Sequence, residues 1–144
     1  MSSQTPPGAE GLDPHPEGGW YRRTYTAQHS VQRENGAVRP AATLIEFFLP
    51  PGETSAWHVV ESDEIWLWHG PGALTLELGG SGAVPRAQDQ HPLDAEHTQV
   101  LVPAGVWQRT LPTEDPVRVS CMVSPGFSFE DFTLHAPGGD HTEG

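Results

Sequence analysis

The chain has 144 residues, the size of one ordinary domain, and carries seven arginines, no lysine and 19 acidic residues for a formal charge of −12. A field of that sign repels phosphate backbones and anionic lipid heads, which excludes nucleic acid and membrane surfaces as natural partners. No apolar run is long enough to span a bilayer, and the start, Met1-Ser-Ser-Gln-Thr-Pro-Pro-Gly8, lacks the basic and apolar regions of a secretory signal, so a cytoplasmic location is expected.

The first 13 residues are rich in Ser, Pro and Gly and offer little to bury, and 136–144 look the same, so both read as flexible tails around one domain over 14–135. Inside it, short apolar bursts alternate with turn residues. The strand candidates are Trp20 to Gln28, Ala41 to Leu49, Ser55 to Val60, Glu64 to His69, Ala73 to Leu78, Thr98 to Val102, Trp107 to Leu111, Val117 to Val123, and an edge segment from Phe129 to Leu134. Pro50-Pro-Gly52, Gly70-Pro-Gly72 and Pro103-Ala-Gly105 combine a fixed φ with a residue that tolerates positive φ, the chemistry of sharp reversals. The polar stretch 79–92 reads as an extended hairpin or a loop. The class is all-β, and composition leaves sandwich and jelly roll open. Cys121, the single cysteine, lies in the strand Val117 to Val123 and reads as a buried structural thiol.

Chemistry concentrates in two places. Between Gly52 and Gly70, His58 and Glu64 stand six apart on strands joined by a tight turn, so both can face inward. Past the turn at Pro103 to Gly105, Gln108 opens another strand and can join them in one cavity. Gly52, His58, Glu64 and Gly70, with Pro103 and Gly105, resemble the two motifs of the cupin superfamily. Val60 and Gln108 stand where that superfamily places two further metal-binding histidines. Together with His15-Pro-Glu-Gly-Gly-Trp-Tyr21, Asp63-Glu-Ile-Trp66, Val102 to Gln108 and Ser124-Pro-Gly-Phe-Ser-Phe-Glu-Asp-Phe132, the pattern resembles the cupin-5 family from His15 to Leu134. The resemblance implies a jelly-roll (double-stranded β-helix) barrel, usually a homodimer, with a small-molecule cavity; it implies no reaction.

Three functions fit these residues. The leading one is an isomerase- or epimerase-like enzyme acting on a polar metabolite, a sugar derivative or keto acid, with His58 and Glu64 as acid/base pair, Gln108 orienting the ligand, and Trp66, Trp68 and Trp107 as walls. The second is a metal-dependent oxygenase with His58, Glu64 and Gln108 around zinc, iron, nickel or manganese, although a glutamine oxygen is a weak donor and only two strong ligands remain. The third is a small-ligand-binding protein without chemistry. Each tryptophan, Trp57 included, also suits core filling or a dimer interface. Glu46, a charge within an apolar strand, either lines the pocket or pairs with an arginine, Arg109 and Arg118 being candidates. His15 reads as a surface residue at a turn, and Tyr21, Arg23 and Thr24 as a strand bordering the cavity. The two-sided apolar character of Ile45 to Leu49 and of Trp66 to His69 adds to the expectation of a dimer.

Overall fold

The computed structural model describes residues 5–135. Thirteen strands follow in chain order: β1 (Asp13–Pro14), β2 (Trp20–Thr26), β3 (Ser30–Gln32), β4 (Val38–Pro40), β5 (Thr43–Leu49), β6 (His58–Val60), β7 (Asp63–Pro71), β8 (Leu74–Leu78), β9 (Asp89–Leu93), β10 (Gln99–Val102), β11 (Gln108–Thr110), β12 (Val117–Ser124) and β13 (Phe132–Leu134), with one 3-10 turn at Phe129–Asp131. All nine expected strand segments are present, several shortened at their ends. The polar stretch 79–92 ends in β9, which pairs with β8 as the extended hairpin.

Two antiparallel sheets face each other as a jelly-roll barrel. One runs β1-β2-β5-β12-β7-β10, the other β13-β6-β11-β8-β9, and β3-β4 form a separate hairpin. Strict alternation drives this: along β12, Val117, Val119, Cys121 and Val123 are buried while Arg118, Ser120 and Met122 are half-buried on the other side. The inward sets of both sheets interlock, with Phe47, Leu49, Trp66, Leu74, Leu76, Leu93 and Val117 in one core. Removing water from a large apolar side chain contributes about 1.5–3 kcal/mol, so these residues carry the barrel's stability. This core fills one part of the barrel and a cavity occupies another.

Two departures from the sequence reading have plain causes. Ala9 and Leu12, within the segment read as a free tail, are buried against Phe48 and Trp20. They cover the outer face of β5, so part of the two-sided apolar character of that strand is satisfied within the chain. The β3-β4 hairpin turns at Asn35-Gly36, where Gly36 takes φ 91°. The tail expected over 136–144 lies outside the described residues.

Candidate functional site

A cavity of about 140 Å3 opens at one end of the barrel. Tyr21, Phe47, Phe127 and Phe129 form its aromatic wall, and His15, Glu17, His58, Glu64 and Cys121 give it polar groups. Each polar group is delivered by a local device. Ser55 N–H donates to Thr110 Oγ1 at 2.7 Å and Thr110 N–H returns to Ser55 Oγ at 3.1 Å, pinning the approach to β6 and hence His58. Glu17 arrives on the loop before β2, where Ala56 N–H donates to the Glu17 carbonyl at 2.6 Å. Gly18 and Gly19 come next, with φ 106° and 83°. A Cβ on Gly19 would stand 2.5 Å from the Phe47 ring, so only glycine lets this loop lie against the barrel.

His58 Nδ1 lies 2.8 Å from the Ala56 carbonyl and, since a carbonyl only accepts, carries the proton. Nε2 is thereby an acceptor, and it stands 3.1 Å from Glu17 Oε1. Burial lowers the His58 pKa to about 4. Burial, with the nearby Glu64 second, pushes the Glu17 carboxyl well above its usual range. The pair is therefore a carboxylic acid donating to a neutral imidazole. His15 completes the corner: its Nδ1 accepts from Glu17 N–H at 3.2 Å, and burial, with His58 second, lowers its pKa to about 4.

Glu64 enters from β7. Trp66 Nε1–H donates to Gln108 Oε1 at 2.9 Å, and Gln108 Nε2 donates to Glu64 Oε1 at 2.9 Å. An indole can only donate, so it fixes the amide orientation and aims the amide N–H at the carboxyl. Burial raises the Glu64 pKa to about 7, against the lowering effect of the hydrogen bonds from Gln108 and Cys121. Burial first, then Glu64 and Glu17, pushes the Cys121 thiol well up, so it stays protonated.

The structure brings His58 and Glu64 to one cavity and places Gln108 behind Glu64, its amide spent on Glu64 and Trp66 rather than facing a ligand. Trp66 is core behind the site. Trp68 faces inward but packs toward the filled part, with its Nε1–H on the Gly72 carbonyl at 2.7 Å, and Trp107 gives its Nε1–H to the Gly82 carbonyl at 2.9 Å; neither lines the cavity. Glu46 is also corrected: alternation along β5 turns it outward, and it pairs with Arg22 at 2.9 Å rather than with Arg109 or Arg118. His15 is a cavity residue, its side chain only 6% exposed, not a surface one. Tyr21 and Arg23 border the cavity as expected, while Thr24 hydroxyl donates to the Leu44 carbonyl. Glu17 is absent from the candidates that the sequence offers; its one local signal is the pair of glycines after it.

The donor set does not suit a metal ion. Val60 supplies no ligand, Gln108 offers N–H rather than oxygen toward Glu64, and His58 Nε2 is engaged by Glu17. Among the described residues, no group of three or more His, Cys, Asp or Glu side chains is arranged to hold a metal.

The chain matches the family described as Cupin superfamily (DUF985), Cupin_5, over residues 9–135. It belongs to the cupin-5 family. No curated protein matches this cupin. Among solved structures it is similar to a hypothetical protein from Leishmania major, at 30% identity and TM-score 0.77 over 88% of this chain and 83% of that one. It is also similar to a protein from Shewanella oneidensis, at 33% identity and TM-score 0.73 over 87% and 78%. An oxalate decarboxylase of Bacillus subtilis, 13% identical with TM-score 0.64 over 94% of this chain and 33% of that one, shares the fold. Among the described residues, no helix is long and apolar enough to cross a membrane.

Proposed function

We propose that this cupin is a small-molecule enzyme of the proton-transfer kind, isomerase- or epimerase-like, working without a metal. The observation that carries the reading is the placing of two acid/base units in one cavity: the Glu17–His58 pair, with 3.1 Å between Oε1 and Nε2, and Glu64 held by Gln108. Their environments push them apart. Burial holds the Glu17 carboxyl well above its usual range, toward the protonated form, while Glu64, at about 7, is divided between its two forms at neutral pH. Ionised Glu64 takes a proton from carbon next to a carbonyl, the C–H electrons form the enol double bond, and the carbonyl oxygen takes a proton from the Glu17–His58 pair. Return of the carbon proton to the opposite face of the same carbon, with the enol O–H giving its proton back to the Glu17–His58 pair, gives the epimer; where that carbon carries a hydroxyl, return to the former carbonyl carbon while this hydroxyl gives its proton to the pair yields the isomer, and either course restores the enzyme.

The test is hydrogen exchange in D2O, followed by NMR over a panel of 2-oxo acids and reducing sugars. Wild type is expected to exchange the proton beside the carbonyl of one panel member, and Glu64→Gln to lose that exchange with its near-ultraviolet spectrum unchanged. An active Glu64→Gln variant defeats the mechanism.

The reading includes a cytoplasmic homodimer. On the outer face of the six-stranded sheet, register aligns Tyr25, Leu44, Met122, Ile65 and Leu101 in one apolar row across five strands. Its ends, Tyr25 at 55% and Leu101 at 54%, are well exposed. A second copy would cover this row. Light scattering is expected to give twice the chain mass, falling to one in Leu101→Asp; a monomeric wild type would refute the pairing.

A further inference from the structure

Arg23 stands out among the arginines. Arg22, Arg33, Arg39 and Arg109 each pair with a carboxylate. Arg23, in a chain of formal charge −12, has no such partner among the described residues, a condition it shares with Arg86 and Arg118; its one hydrogen bond runs from Nη2 to the Phe127 carbonyl at 3.2 Å. It is the one guanidinium lining the cavity, and it is exposed, so it belongs to the rim. The backbone puts it there: Arg23 sits opposite Ile45 on the inward face of β2, and a register shift between Arg23 and Tyr25 turns the next side chains outward. Such a bulge beside a cavity re-aims a side chain.

The cavity interior restricts the body that an anion at the rim could carry inside. A cavity of about 150 Å3 takes up a benzene ring, about six non-hydrogen atoms, and this one is about 140 Å3. Its wall of Tyr21, Ile45, Phe47, Phe127 and Phe129 offers no partner to the hydroxyls of a hexose that would face it, and a hexose has about twice the non-hydrogen atoms that such a volume takes up. The Glu64 carboxyl, in its ionised form, disfavours an anionic group beside it, and Arg23 favours one at the mouth.

We propose that the cavity takes a small monocarboxylate, its carboxylate held at the rim by Arg23 and a compact, largely apolar body of about six non-hydrogen atoms inside against the aromatic wall. The proposal rests on this cavity being the working site and narrows the substrate from polar metabolites in general to small organic acids, keto acids among them, in preference to sugars.

The experiment is calorimetric titration of the full chain at neutral pH with benzoate, benzamide and glucose, in wild type and in Arg23→Gln, Arg23→Lys and Glu64→Gln. Benzoate is expected to bind at least tenfold more tightly than its uncharged isostere benzamide, and glucose not at all. The preference should vanish in Arg23→Gln, persist in weakened form in Arg23→Lys, and survive in Glu64→Gln. Equal binding of benzoate and benzamide, an undiminished preference in Arg23→Gln, tight glucose binding, or no binding of benzoate each overturns the proposal. Benzoate preference without proton exchange on any 2-oxo acid would leave Arg23's role standing and sink the isomerase reading. Exchange on neutral sugars alone would do the reverse.

Discussion

Glu17 Oε1 stands 3.1 Å from His58 Nε2, and the opposite ring nitrogen of His58 is bound 2.8 Å from the Ala56 carbonyl. The carbonyl decides the tautomer of the neutral ring, and burial, which lowers the His58 pKa to about 4 and raises that of Glu17, favours the proton between the two side chains on the carboxyl. Glu17→Gln keeps the shape and lets an amide N–H replace the acid O–H toward the imidazole, but that amide has no proton to release. Exchange in D2O is expected to fall by about two orders of magnitude or more with folding intact. A variant retaining wild-type exchange would show that Glu17 only positions His58.

If Glu64 is the base, exchange tracks its ionised fraction and rises with pH through about 7 before levelling off. Gln108→Leu removes the N–H that favours the ionised form, so the midpoint moves upward, and it leaves the Trp66 indole without an acceptor. Such losses cost about 1–3 kcal/mol each. A pH–rate profile with an unmoved midpoint would assign the titration to another group.

Glu64 also ties stability to pH. Its folded pKa of about 7 lies above the ordinary 4.5, so the folded form binds its proton more strongly than the unfolded one. The contribution is complete below about 4.5 and is lost as pH rises through 7. At about 1.4 kcal/mol per unit, the effect is on the order of 3 kcal/mol. His58, lowered from 6.5 to about 4, acts oppositely: its contribution is complete above 6.5 and lost as pH falls through 4. Denaturant melts of Glu64→Gln should therefore show the variant gaining on wild type between pH 5 and pH 8. A constant difference over that range would contradict the raised pKa.

Asp131 binds the cavity-covering segment to the β3-β4 hairpin. It accepts from Arg39 Nε and Nη2 at 2.8 and 3.0 Å and from Arg33 Nε at 3.3 Å, while Arg33 also reaches the Glu61 carbonyl and Ser62. The Arg39 bonds first, with Arg33 beside them, hold the Asp131 carboxyl below its usual range. Asp131→Ala takes the buried carboxylate from two partly buried guanidiniums, leaving Arg39 the exposed Glu130 and Arg33 the Glu61 carbonyl and Ser62, and should cost about 2 kcal/mol. Amide exchange should speed up around Phe127 and Phe129 before the rest of the barrel; unchanged protection there would show that the segment is held by its aromatic contacts.

The sequence is most legible where the residues in contact are neighbours along the chain. His58 and Glu64 can be found because one hairpin carries both, and a period of two says which way each points. The same period, applied to β5, places Glu46 beside Phe47 on the opposite face, and Asn35-Gly36 is a strong hairpin signal in its own right. Trp68 shares the parity of Glu64 and Trp66 but faces a part of the barrel that is already filled, and parity alone does not tell where a cavity stops. Glu17 lies beyond local patterns: its loop reaches His58 only by pairing with Ala56. Ala9 and Leu12 are masked by their Pro- and Gly-rich context, although each is apolar and finds Phe48 in three dimensions.

Glu17 near the front of the chain and Phe127 and Phe129 near its end meet at the same cavity. During synthesis, the hairpin with His58 and Glu64 emerges long before the aromatic segment that closes over it, and Asp131 cannot latch until that segment arrives. Until that segment arrives the carboxyls of Glu17 and Glu64 stay open to water and carry no burial cost, and the cavity is enclosed only once Phe127 and Phe129 are in place. Enclosure of the cavity is thus completed from the C-terminal side of the domain, and a truncation just before Phe127 would leave most of the strands present but the cavity without its aromatic cover.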